Sequence, residues 1–189
     1  MGQLEDTLDL IKWGIDWIIK SIVFSESNKV VQVYVQVDEK SSHDMWNKPE
    51  EIGRGWPRPS FFINRKKPGT DLCSEYVAAL SAAHLCFKRA KQIEMFDDDE
   101  YVKKLKSIAV QLWAFSESAK KDNAGVLYSD SVPQAKEMYK SNHYKDERVW
   151  GAFWLYRATG DKIYYDLARK SMFHNKYNFG RDPSHMFRN

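Results

Sequence analysis

The sequence predicts an all-α fold, an array of helical hairpins with about five main helices and one short β segment. Apolar residues recur at spacings of three and four through most of the chain. One such stretch is opened by acidic residues and closed by basic ones, as the helix dipole favours. No strand–helix–strand alternation calls for a parallel sheet. With 189 residues the chain is long enough for one core.

Leu4, Leu8, Ile11, Ile15, Ile18 and Ile22 form one stripe of a first helix over 4–24. VVQVYVQV, 30–37, alternates apolar and polar residues with heavy β-branching, which predicts the strand. A loop over 41–71 follows and carries His43, Trp46, Trp56, Phe61 and Phe62. Pro68-Gly69 marks a turn and Asp71 is the expected N-cap of a helix over 71–95, where LCSEYVAALSAAHLCF has enough small side chains for neighbouring helices to approach closely. Cys73 and Cys86 lie 13 positions apart on this helix, about 20 Å, too far to bridge, and read as two buried thiols. His84, on the same helix, reads as a core or interface histidine.

Asp97 to Glu100 opens the next helix, Tyr101, Leu105, Ile108, Leu112 and Phe115 make its stripe, and Lys120-Lys121 close it. After GVLYSDSVP come helices over 146–159, ended by Gly160, and 161–173, then an irregular tail over 174–189. Helix pairs of about 50–60 residues recur loosely, as in an α/α toroid. Helices this apolar need neighbours on two sides, more than the chain supplies. A single domain over 1–189 is expected.

Composition narrows the partners. A net charge of +3 is far from the concentrated basic footprint of a nucleic-acid binder. No run approaches the roughly 18 apolar residues of a membrane helix. MGQLEDTLDL has no basic segment leading into an apolar one, so no secretory signal is read in this chain. Aromatic residues, at 14% with seven Trp, are the unusual feature.

Four ordered blocks resemble the family-9 glycoside hydrolases, the endo-β-1,4-glucanases called cellulases. Ile11-Lys12-Trp13-Gly14 with Asp16 and Lys20 is similar to the family's KWGTDYFLKA. Tyr34-Val35-Gln36-Val37 through His43 and Trp46 is similar to YVQVGDGDADHxxW. Pro68 to Ala83 is similar to the PGSDVAAETAAALAAAS helix. Val126 to Asp130, then Tyr144 to Asp161, is similar to VYSD and YQDELxWGAAWLYRATGD. The resemblance runs to about residue 170 and implies part of an (α/α)6 toroid, a β-1,4-glucan substrate hydrolysed with inversion, and secretion of the protein. It also implies that the single domain over 1–189 is a partial one, an incomplete toroid exposing Ile11, Ile15 and Ile18 or the Trp150 and Trp154 side and prone to associate.

The resemblance also implies site residues. His43 and Trp46 match positions that face the glucan cleft, Arg58 with Pro59 matches an Arg-Pro pair, which implies that it braces this loop or reaches sugar, and Tyr139 corresponds to a cleft tyrosine. The chemistry agrees, since a pyranose stacks its C–H face on an indole while its hydroxyls need donors and acceptors. Two departures bear on the cleft: Ser42 stands where the family has the Asp before the His, and Glu39-Lys40 stand in its glycine-bearing turn. The family's SGYxDE turn gives oxygen ligands to a structural calcium, which implies Asn142, Asp146 and Glu147 here, with Asn142 and His143 in place of Ser and Gly. The metal-free alternative has Asp146 as an N-cap with Glu147 in the first turn.

No residue is assigned a catalytic role. Inversion needs a carboxylic acid and a carboxylate about 6.5–9.5 Å apart. The family supplies them from DAGD-type and NEVA-type stretches, neither of which occurs in this sequence. Asp44, Glu50, Glu51 and Asp130 have nothing in sequence to divide acid from base. The chain alone is expected not to hydrolyse glucan. A non-catalytic glucan-binding or interaction protein is the alternative, with oligomeric state left open.

Overall fold

The computed structural model describes residues 2–44, 46–48, 50–51, 58–119 and 124–174, with backbone alone at His43, Phe173 and His174. The tail expected from 174 therefore lies, from 175 on, outside the described residues. Helix α1 (Gly2–Ser21) leads into strands β1 (Ile22–Phe24) and β2 (Val30–Val37), then the single turn α2 (Lys40–His43), strand β3 (Ser60–Asn64), and the long helices α3 (Thr70–Gln92) and α4 (Asp99–Ser118). Two further single turns, α5 (Tyr128–Ser131) and α6 (Pro133–Lys136), precede α7 (Lys145–Thr159) and α8 (Lys162–His174).

The long helices fall where the apolar stripes place them, but the β structure exceeds the single expected segment. Among the described residues it is a three-stranded antiparallel sheet in the order β1-β2-β3. Ile22 leaves the first helix's stripe to pair with Val33, and Ser21 Oγ turns back to accept the role of helix terminator, donating 2.7 Å to Ile18 O. β3 rises out of the ring-bearing stretch, with Phe62 opposite Tyr34 and their rings edge to face at 5.9 Å. Val30, Val33 and Ile63 bury the inner face of this sheet.

α3 is the centre of the core, packed by α4 and α7, with α8 on α7 and α1 on α3. The small residues explain the closeness of α3 and α7. A Cβ added at Gly151 would lie 2.7 Å from the Ser74 carbonyl oxygen, so only hydrogen fits there. Gly160 closes α7 in the left-handed region at φ 76°, its N–H donating to Tyr156 O. His84 is buried, as its place on α3 suggests, with Nδ1 2.8 Å from Val102 O, and burial pulls its pKa down. Cys73 is buried and Cys86 only half-buried, both as free thiols.

Three expectations are corrected. Asp71 is not an N-cap: Gly69 takes that position, and the Asp71 carboxylate turns away to accept from Tyr128 N at 2.8 Å. Asp146 is not one either, because α7 begins at Lys145 with Tyr144 as its cap. The exposed apolar face of α1 is made by Leu10, Trp13 and Trp17, while Ile15 is buried and Ile11 and Ile18 pack against the core. Trp150 is half exposed, as expected of its side. No helix among the described residues is long and apolar enough to cross a membrane.

Candidate functional site

Two regions hold the residues singled out in the sequence. The first is the neck from which the ring-bearing stretch leaves the sheet. Val37 and Ser60 are the last pair of β2 and β3, and one step further Asp38 N donates to Pro59 O at 2.7 Å. Asp38 is buried and sits at φ 77°; its Oδ1 accepts from Glu39 N at 2.9 Å and its Oδ2 from Arg58 Nε at 3.1 Å. Beyond the neck, His43 ends α2 with its side chain outside the described residues, and the Trp46 indole is fully exposed.

The second region is the turn before α7, stitched to the start of α3. Thr70 N donates to Val126 O at 2.7 Å, and Val126 N returns to Thr70 Oγ1 at 3.0 Å. Ser131 Oγ donates to Pro68 O, and Ser141 N to Ser129 Oγ at 3.3 Å. Tyr139 is half exposed, its carbonyl accepting from Tyr128 Oη at 2.8 Å. Asn142 and His143 are exposed, and His143 Nδ1 lies 2.6 Å from Asp146 Oδ1.

Acidic groups from two helices crowd this corner. Ligand atoms of His143, Asp146 and Glu147 lie within 4.8 Å of one another. Burial, then the hydrogen bond it shares with Asp146, pushes Glu147 up to about 9. Asp146 also feels burial, but hydrogen bonds from Glu147 and His143 outweigh it and hold the carboxyl below its ordinary value. Asp71 and Glu75 on α3 are both raised, by desolvation first; for Glu75 the charges of Asp146 and Asp71 add to it. Asp71 Oδ2 and Glu147 Oε2 are buried without a hydrogen-bond partner. An unsatisfied Glu147 oxygen within the His143, Asp146 and Glu147 cluster is what a hard cation would relieve.

The same geometry rules this pair out as the inverting couple. Asp146 and Glu147 have acidities driven apart, as an acid and base need, but carboxylate oxygens of the two lie within 4.8 Å of each other. Inversion requires a water between its carboxyls and so a separation of about 6.5–9.5 Å.

Sequence reading named Asp146, Glu147 and Asn142 here and missed Asp71, Glu75 and His143 as members of the corner. The first two come from a helix some 75 positions away, so no local pattern links them. His143 was visible only as a departure from a turn motif. Asp38 was missed at the neck, where a carboxylate directly after a strand was the available signal.

Comparison with known proteins gives a consistent picture. The sequence model described as glycosyl hydrolase family 9 matches residues 1–188. Endoglucanase 15 of Arabidopsis thaliana is 40% identical over 162 residues, 85% of this chain and 29% of that protein. The endoglucanase of the termite Nasutitermes takasagoensis superimposes with a TM-score of 0.75 at 34% identity, covering 92% of this chain and 36% of that one. The cellulase Cel9M of C. cellulolyticum, solved in complex with cellobiose, superimposes at 0.66 with 27% identity, covering 87% of this chain and 33% of that one. The chain thus spans under a third of the length of the curated relative.

Proposed function

The chain belongs to glycosyl hydrolase family 9, and we propose that it serves the hydrolysis of β-1,4-glucan by a secreted endoglucanase acting with inversion, as a stretch that binds the polymer. The observation that carries this reading is the fully exposed Trp46 indole beyond the neck held by Arg58 and Asp38. Among the described residues nothing covers this indole, which leaves its face open to the apolar C–H face of a glucose ring. Arg58 would donate to sugar hydroxyls, with His43 and Tyr139 as further contacts. None of these groups cleaves the bond, and the chain alone is proposed to bind without hydrolysing.

The corner at the start of α7 is proposed to hold a calcium ion through Asp146 and Glu147, with Asn142 beside them. The orphaned Glu147 Oε2 in that cluster supports the fit. The ion would supply positive charge that joins the turn at 141–147 to α3. In its absence a proton on Glu147 and the imidazole of His143 do part of that work.

Titration calorimetry of the 189-residue chain with cellohexaose tests the binding. Saturable binding that Trp46→Ala weakens by about tenfold, with the melting temperature kept, is the expected result. No heat from cellohexaose, or an unchanged Trp46→Ala, would overturn it. Reducing sugar released from carboxymethylcellulose by this chain would overturn the non-hydrolytic part.

A further inference from the structure

Asp38 occupies a backbone position that glycine would fill with less strain. At φ 77° the Cβ of an L-residue crowds the neighbouring carbonyl, and Asp and Asn are only the least disfavoured exceptions. What Asp adds there is its carboxylate, buried to 8% exposure and shared between Glu39 N and Arg58 Nε. The backbone fastening does not need it: Asp38 N already donates to Pro59 O, and Asp38 O accepts from Gln36 Nε2 at 3.3 Å. Arg58, in contrast, is 52% exposed along its side chain, and among the described residues its two Nη groups have no partner.

We infer that Asp38 is a positioning residue of the glucan site, holding the Nε edge of Arg58 so that the two Nη groups stand ready as a planar fork of donors for sugar hydroxyls. The inference rests on the glucan-binding reading above and adds a residue to it. A long cation on a loop spreads over many rotamers, and most of its binding energy is lost in ordering it. Tying Nε to a buried carboxylate sets the plane of the guanidinium in advance, and a charge-assisted bond is strong enough to do so at a half-exposed position. The remaining N–H groups then lie in one plane, which suits hydroxyls on adjacent ring carbons. Lysine at 58 could keep the charge but has neither the fork nor an Nε to hold.

Glycine at position 38 separates this role from a purely structural one, because it suits the local backbone. In Asp38→Gly the melting temperature should stay within about 2 °C of the parent, while the Kd for cellohexaose rises about tenfold. Arg58→Ala should weaken binding by a similar factor, and Asp38→Gly in the Arg58→Ala background should add nothing. Asp38→Asn keeps an acceptor for Nε without the charge and should recover part of the affinity. Parental affinity in Asp38→Gly, or an equal loss from it when Arg58 is already alanine, would overturn the inference while leaving the glucan reading intact. Failure of the parent chain to bind cellohexaose removes both, and is told apart by needing no variant.

Discussion

Replacing Glu147 by glutamine probes the crowded carboxylates at the start of α7. Burial and the bond to Asp146 push Glu147 up to about 9 from an ordinary value of 4.5. A carboxyl that holds its proton more tightly when folded contributes stability that is complete below its unfolded pKa. That stability drains away as pH rises from about 4.5 toward 9. Between 4.5 and neutral pH the gap is about 2.5 units, worth about 3.4 kcal/mol at 1.36 kcal/mol per unit if water were fully excluded. The side chain keeps partial contact with solvent, so roughly 1–2 kcal/mol is the better figure. Glutamine has nearly the same shape, can donate to Asp146 as protonated Glu147 does, and does not titrate. In protein stripped with EDTA, Glu147→Gln should therefore match the parent at pH 5 and melt about 3–6 °C higher at pH 7. Millimolar calcium should raise the parent at pH 7 by mass action and leave the variant almost unmoved. Scanning calorimetry at the two pH values, with EDTA and then calcium, reads all four outcomes. A variant that loses as much stability at pH 7 as at pH 5 without calcium would show that the carboxylates are not crowded, and the reasoning about this corner would fall.

Other perturbations act on the scaffold. Arg148 binds Glu117 through Nε at 2.9 Å and Nη2 at 3.1 Å, reaches Ser171 Oγ at 3.2 Å, and lies over the Trp113 ring, tying α7 to α4 and α8. Arg148→Ala should cost roughly 2 kcal/mol, read from urea unfolding as a lower midpoint with unchanged slope. Gly151→Ala should destabilise by about 1–3 kcal/mol despite alanine's better helix propensity, since its methyl would meet the Ser74 carbonyl; thermal unfolding followed by circular dichroism checks the sign. Trp13→Lys with Trp17→Lys should reduce hydrophobic-dye binding and shift sedimentation toward monomer while changing stability by less than about 0.5 kcal/mol, because both indoles are more than half exposed.

What could be read from sequence followed the reach of the interactions concerned. The stripe Tyr101, Leu105, Ile108, Leu112, Phe115 repeats over several turns, and all five side chains are buried on α4. β1 is three residues long and its first, Ile22, also continues the stripe of α1, so period alone assigns it to the helix. The β-branched pair Ile22-Val23 behind Ser21 was the usable hint, as SFFIN was for β3. α5 and α6 are single turns, α5 held by Asp71 of a distant helix and by the Pro68 carbonyl just before it, and four residues cannot carry a stripe.

The site divides along the same line. Residue type announces what a side chain can do to a ligand, so Trp46, Arg58, Asp146 and Glu147 were nameable from their chemistry and motif context. What type does not announce is the partner that sets how each is presented. Asp71 has the composition of a helix cap, yet its carboxylate serves a loop 57 positions on and loads charge onto Glu147. Asp38 sits in the left-handed region at φ 77°, and on local grounds it counts only as strain. Its proposed role comes from Arg58, which the chain brings back beside it 20 positions later. The groups proposed to touch ligand are thus local in sequence and the groups proposed to aim them are not, so substitutions of the second kind are where binding would change without any contact residue being altered.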